Sequence, residues 1–188
     1  MSFSIASLHH LLATWGYLAV FGFVAVESMG IPVPGETMLI TAGAYAGAGH
    51  LNIALVIAVA AAGAILGDNI GYLIGRTGGR PLVLRYGKYI WLDERKLNAA
   101  ERFFEKHGDK TVFIGRFIAL LRAWAAFLAG VNRMPWPKFL LYNAAGGITW
   151  TLLYGLLAFA LGKNLPLLER LVKIVGIGGA AAAVVVIA

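Results

Sequence analysis

Glu27-Ser28-Met29-Gly30-Ile31-Pro32-Val33-Pro34-Gly35-Glu36 is the stretch on which the fold turns. It interrupts an apolar run, Gly16 to Gly49, that would otherwise read as one membrane-crossing helix. Proline lacks a backbone donor and stops a helix, and two prolines with two glycines inside six residues argue against a straight one. Broken backbone at membrane depth is tolerated only where protein buries it or where it lines a cavity. The stretch therefore predicts two short helical limbs joined by a turn, a re-entrant hairpin. Pro32, Pro34 and Gly35 form its corner, and Glu27 and Glu36 lie on opposite limbs near its tip.

Outward from this turn the chain stays apolar. Thr37 to Gly67 and Phe139 to Gly162 carry no charge, and each run exceeds the ~20 residues needed to cross ~30 Å of hydrocarbon. Of the 188 residues 60% are hydrophobic and 13% charged, against about 25% charged in a soluble domain. A last run, Ile174 to Ala188, makes a span only if its helix begins near Leu165, so 165–188 is expected to be a C-terminal transmembrane helix. Residues 1–15 lack a charged n-region and a small-residue cleavage site, so no cleaved signal peptide is expected there. They suit an interfacial segment or the start of the first span. Without cysteine there is no disulfide, thiolate metal site or cysteine nucleophile.

Leu51 to Ile74 reads as a full span carrying Gly63, Gly67, Gly71 and Gly75, a stripe for close helix approach within one chain or between copies in a homo-oligomer. Nine of the sixteen Lys and Arg fall between Arg76 and Lys110, which marks a cytoplasmic connector and accounts for much of the +7 charge. No nucleic-acid recognition motif accompanies them. Within the connector Asp93 suits an N-cap and Gly108 a C′ stop. Leu97, Ala100, Phe103 and Phe104 share one apolar face, and Trp91 sits near the headgroups, which predicts a surface-lying amphipathic helix.

The halves resemble each other in order. Val20-Phe21, Ala42-Gly43, Ala62-Gly63 and Tyr72 with Gly75-Arg76 are echoed by Val112-Phe113, Ala129-Gly130, Ala145-Gly146 and Tyr154 with Gly162-Lys163. One hairpin plus one span crosses the membrane an odd number of times, so the second half should be inverted relative to the first, a plan shared by many transporters. The expected organisation is repeat one at 16–76, a connector at 77–110 and repeat two at 111–163, together a membrane domain over 16–165. The fold class is all-α integral membrane, with two re-entrant hairpins and full spans in an inverted repeat.

Glu27, Glu36, Asp68, Arg116 and Arg122 lie in apolar territory, where each ionisable group costs roughly 2.5–3.5 kcal/mol. Two carboxylates close together at low dielectric do not both ionise easily, which suits proton exchange by Glu27 and Glu36. Arg116 and Arg122 are about 240° apart on a straight helix and point inward together only if the helix breaks near Ala119. Arginine binds phosphate or carboxylate with a planar fork. Asp68 reads equally as a third proton-coupling residue or an interhelical partner, and Arg76 as an interfacial anchor. The same groups also suit buried salt bridges that hold the hairpins together. His9, His10, His50 and His107 lie near termini, loops or interfaces without metal-ligand spacing, so neither a metal site, a cofactor nor enzyme chemistry is expected.

The Glu27–Glu36 segment is similar to the signature of the DedA family, whose members share the VTT domain. Gly67-Asp68-Asn69-Ile70-Gly71-Tyr72-Leu73-Ile74-Gly75-Arg76 agrees as well. So do Phe113-Ile114-Gly115-Arg116-Phe117 with Arg122 and Ala129-Gly130, and Asn143 through Trp150 to Tyr154-Gly155. Ala123 and Ala126 stand where the family often has Thr and Pro. The resemblance implies paired re-entrant hairpins, a multi-pass place in the bacterial cytoplasmic membrane, and proton-coupled movement of a polyprenyl phosphate such as undecaprenyl phosphate. Its membrane acids and arginines fall on Glu27, Glu36, Arg116 and Arg122. The expected partners are this lipid, protons and membrane lipids. Alternatives are a phospholipid scramblase, a small-ion transporter, or a non-transporting membrane-homeostasis protein.

Overall fold

The computed structural model describes residues 5–86, 98, 102–104, 106–122 and 124–164, and every regular element among them is helical. In chain order these are α1 (Ile5–Ser28), α2 (Gly35–Gly47), α3 (Ile53–Tyr86), a 3₁₀ turn (Gly108–Lys110), α4 (Thr111–Gly115), α5 (Ala119–Arg122), α6 (Ala125–Val131) and α7 (Trp136–Lys163).

α1 runs unbroken for 24 residues, so the expected boundary at residue 15 and the short first limb give way to one long helix. Nothing before Glu27 in α1 breaks it, neither proline nor ionised side chain. It ends where the sequence demands. Gly30 takes a φ of 97°, its N–H bonds the Glu27 carbonyl at 2.9 Å, and the Ile31 N–H bonds the Val26 carbonyl at 3.4 Å. This pair of bonds closes the helix in a Schellman motif, with glycine in the left-handed position. Pro32 and Pro34 then hold the chain out of helix until α2 begins. The Asn52 side chain caps α3 by accepting from the Ala54 and Leu55 N–H groups at 2.9 and 3.3 Å.

Among the described residues two stretches are long and apolar enough to cross a membrane. Ile53–Gly78 has 26 residues and a mean hydropathy of 2.1, and Trp136–Lys163 has 28 residues and a mean hydropathy of 1.6. Their outer faces are apolar too, with Leu66, Leu73, Leu141 and Leu157 each more than half exposed. A helix apolar all round belongs inside a large core or in lipid.

α3 and α7 meet at the centre. α1 packs on α3 and α2 on α7, while α4 packs on α7 and α6 on α3. Each half thus lays one limb on its own long helix and the other limb on its counterpart's. Glycines permit these contacts. A Cβ on Gly67 would collide with the Ala25 carbonyl of α1, and one on Gly75 with the Phe127 carbonyl of α6. The glycine stripe therefore serves contacts within the chain. In the second half Gly162 abuts the Ala44 carbonyl of α2 in the same way. Gly63 lies against the Phe21 carbonyl of α1, and Gly146 against Arg116 and Phe113.

One core gathers Val20, Val24, Leu39, Val56 and Trp150, and the other Tyr72, Phe104, Leu128, Met134 and Phe139. Phe104 ties the end of the connector into the second core rather than leaving it on the surface, and Phe103 packs beside it. Gly108 has a φ of 59°, as the expected stop requires. Trp91, Asp93, Leu97, Ala100, Ala123 and the 165–188 segment lie outside the described residues.

Candidate functional site

The turn between α1 and α2 brings Glu27, in the last turn of α1, beside Glu36, in the first turn of α2. Gly35 makes this approach possible, because a Cβ there would lie 2.5 Å from Glu27 Oε2 and 2.8 Å from the Phe23 carbonyl oxygen. From the other half, α4 stops at Gly115 and the chain turns through Arg116–Ile118 into the single turn α5, which ends on Arg122. The break falls slightly before the expected Ala119. It releases the two arginines from a common helix and sends them to different partners.

Arg122 reaches the hairpin tip. Its Nη1 donates to Glu36 Oε2 at 2.5 Å and its Nη2 to Glu27 Oε1 at 2.9 Å. Its guanidinium also lies over the Trp150 ring of α7, 5.3 Å from the centroid. The three charged side chains keep 21%, 20% and 33% of their surface for Arg122, Glu27 and Glu36. One guanidinium shared by two carboxylates carries a formal −1 when both acids are ionised and zero when one holds a proton. The cluster can therefore change charge by taking up a proton without losing its cation.

Arg116 goes elsewhere. Its Nη2 donates to Asp68 of α3 and, at 2.8 Å, to Asn143 Oδ1 of α7. Asn143 Nδ2 donates in turn to the Ile65 carbonyl at 3.2 Å. All three residues are buried. Gly146 and Gly147 leave room for the arginine stem and head, which would meet their Cβ atoms at 3.3 and 3.5 Å. The structure thus unites Glu27, Glu36 and Arg122, and separately Asp68 and Arg116. No hydrogen bond among the described residues links the two groups.

Arg76 joins neither. It is exposed, and its Nη1 donates to the Tyr72 hydroxyl at 2.5 Å, which donates to the Met134 carbonyl at 2.6 Å. Tyr72 is buried and stacks on Phe139 with centroids 4.4 Å apart. These two residues therefore brace the turn between α6 and α7. Gly71 of α3 faces the α1–α2 turn and α6 at ordinary contact distance, its Cβ position lying 3.6 Å from the Met29 carbonyl oxygen and 3.7 Å from Ala126 Cβ.

Sequence reasoning gave no role to Asn143 or Trp150. A signal existed for Asn143, a strong hydrogen-bonding side chain inside the charge-free Phe139–Gly162 run. For Trp150 the signal was only its place in the family-like stretch from Asn143 to Gly155, since its aromatic character suits a core or an interface equally. Among the described residues no cluster of three or more His, Asp or Glu could hold a metal ion. An apolar groove of 460 Å³ on α1, lined by Trp15, Leu18, Phe23 and Val26, runs to Val33 in the hairpin turn.

Residues 33–160 match the family model described as the VTT domain. Over 161 residues the chain is 44% identical to an uncharacterized membrane protein of Synechocystis, covering 86% of this chain and 74% of that one. It is 45% identical over 140 residues to an uncharacterized membrane protein of Mycobacterium tuberculosis, which covers 71% of this chain but 63% of the relative. It is 31% identical over 180 residues to Protein DedA of Escherichia coli, covering 93% of this chain and 81% of that protein. No solved structure matches the chain.

Proposed function

Because this chain belongs to the DedA family of VTT-domain membrane proteins, we propose that it moves a polyprenyl phosphate lipid carrier, such as undecaprenyl phosphate, across the bacterial cytoplasmic membrane, coupled to protons. The observation that carries the reading is the partly exposed Arg122 clamped between Glu27 and Glu36. A phosphate is the ligand a guanidinium fork would exchange for carboxylates. Protonation of the two acids would release the fork and leave the cluster at +1, ready for an anionic headgroup. The groove along α1 that reaches the same turn suits a hydrocarbon tail and favours a lipid over a small solute.

The exchanged packing of limbs between halves supports two re-entrant hairpins in an inverted repeat. Such a repeat places substrate sites where broken helices meet. Arg116 and Asp68, expected to act beside Arg122, are assigned in this reading to a sealed clamp joining α3 and α7.

The deciding measurement is transbilayer movement of undecaprenyl phosphate in liposomes holding the purified protein, with and without a pH gradient. Movement that requires the protein and responds to the gradient is expected. Movement of phospholipid instead would favour a scramblase, and passage of small ions a solute transporter. No movement of any of these by folded protein would overturn the transport reading in favour of a structural membrane protein.

A further inference from the structure

Trp150 is 2% exposed, and its Nε1 is a buried donor with no hydrogen-bond partner among the described residues. An orphaned buried N–H costs free energy that packing must offset, so its retention calls for a partner in some state of the protein. The fold does satisfy an indole elsewhere, since Trp136 Nε1 donates to Asn69 Oδ1 at 2.9 Å. Around Trp150 the core is built from Val20, Val24, Leu39, Val56 and Ala64, whose side chains offer no acceptor, and the hydroxyl of Tyr154, whose ring centroid lies 5.3 Å away, does not bond the indole. The cation stacked over its ring, Arg122, is itself only a donor. Each acid of the cluster accepts from that arginine through one oxygen, and no hydrogen bond among the described residues joins either acid to the Trp150 indole. Among the described residues two other buried polar side-chain atoms lack partners, Thr111 Oγ1 and Arg116 Nε, and neither belongs to this cluster.

We propose that Trp150 is a headgroup-recognition residue, its indole N–H donating to an anionic oxygen of the phosphate that Arg122 holds. The assignment rests on the phosphate site proposed above and deepens it. Arg122 supplies charge and the forked donors, and the indole supplies a neutral donor with a fixed direction. The aromatic face beneath the guanidinium keeps the fork in place when the carboxylates let go. The chemistry recognised is a phosphate oxyanion, from a lipid headgroup or from free phosphate.

The test uses the full chain in nanodiscs with ¹⁵N-labelled tryptophan. The chain holds five tryptophans, and the Trp150 indole resonance is assigned by its loss in Trp150→Phe, or by elimination with the other four variants if that protein does not fold. The probes are farnesyl phosphate, farnesol and inorganic phosphate, with binding followed in parallel by calorimetry. Farnesyl phosphate should shift the Trp150 resonance saturably, and farnesol should not. Affinity in Trp150→Phe should fall about tenfold or more, as for loss of a hydrogen bond to a charged group. An equal shift with inorganic phosphate supports the same donor and identifies free phosphate as the ligand, whereas a shift confined to farnesyl phosphate identifies a lipid. Calorimetric binding of farnesyl phosphate that leaves the Trp150 resonance unmoved overturns the role of Trp150 and leaves the transport reading standing. Absence of binding by any phosphate probe overturns both.

Discussion

Arg116 and Arg122 leave the same broken segment six residues apart, and both end on carboxylates, yet they build opposite kinds of site. The Arg116 centre is sealed, with 5% and 7% of the Arg116 and Asp68 side chains exposed, and it balances one cation against one acid. The Arg122 centre keeps a fifth to a third of its charged surface open and sets one cation against two acids. A buried pair with an added amide partner is closed to an incoming ligand. An open cluster with surplus acid has a proton to gain and a cation to lend. The contrast is one of access and charge balance, since residue types and local backbone are nearly alike.

The sharpest way to break this contrast is Arg116→Ala. It leaves Asp68 as an unpaired charge between α3 and α7, and removing one partner of a buried pair costs about 3–5 kcal/mol. A large loss of thermal stability in detergent is expected. The apolar double substitution Arg116→Met with Asp68→Leu should recover most of it, because no lone charge remains. An Arg116→Ala protein as stable as the parent would remove the clamp.

Both centres depend on how closely α3 approaches its neighbours, so a smaller effect comes from the glycines. Gly75→Ala drives a methyl into the Phe127 carbonyl on α6. Overpacking of this kind costs roughly 1–3 kcal/mol. Gly71→Ala meets its nearest neighbours at 3.6 Å, an ordinary contact, and should change the melting temperature little. Equal destabilisation by the two would mean that α3 packs otherwise.

The sequence carried much of this pattern. The prolines announced the first turn, the spans read at Leu51–Ile74 and Phe139–Gly162 correspond to α3 and α7, and Glu27 and Glu36 met at the tip as their positions implied. The partition of the arginines was not legible. Helical spacing said only that Arg116 and Arg122 point apart; which acid each meets depends on α3 and α7 crossing at the centre, a long-range fact. Asn143 was visible as a polar residue in an apolar run, but its partner was not. Residues 1–15 suited an interfacial segment or the start of the first span, and α1, beginning at Ile5, takes the second form.

Arg122→Ala should sharpen the contrast from the other side. Its partners are partly exposed rather than sealed, so the stability cost should be well below that of Arg116→Ala, while undecaprenyl phosphate movement should be lost. A stability loss matching that of Arg116→Ala would make the two centres equivalent and favour a structural role for both.

The smallest structural effect and the most specific functional one belong to Glu36→Gln. Glutamine keeps the size and one acceptor oxygen, so Arg122 retains a partner, and the third of the side chain that is open to its surroundings keeps the cost within about 0.5 kcal/mol. The cluster becomes neutral with no proton to gain at position 36. Lipid movement should therefore continue but no longer speed up or slow down when a pH gradient is imposed across the liposome. A variant that still responds to the gradient would move the proton to Glu27 alone. Glu27→Gln, with its partly buried carboxylate also paired to Arg122, would then have to abolish the response for the open centre to remain the coupling site.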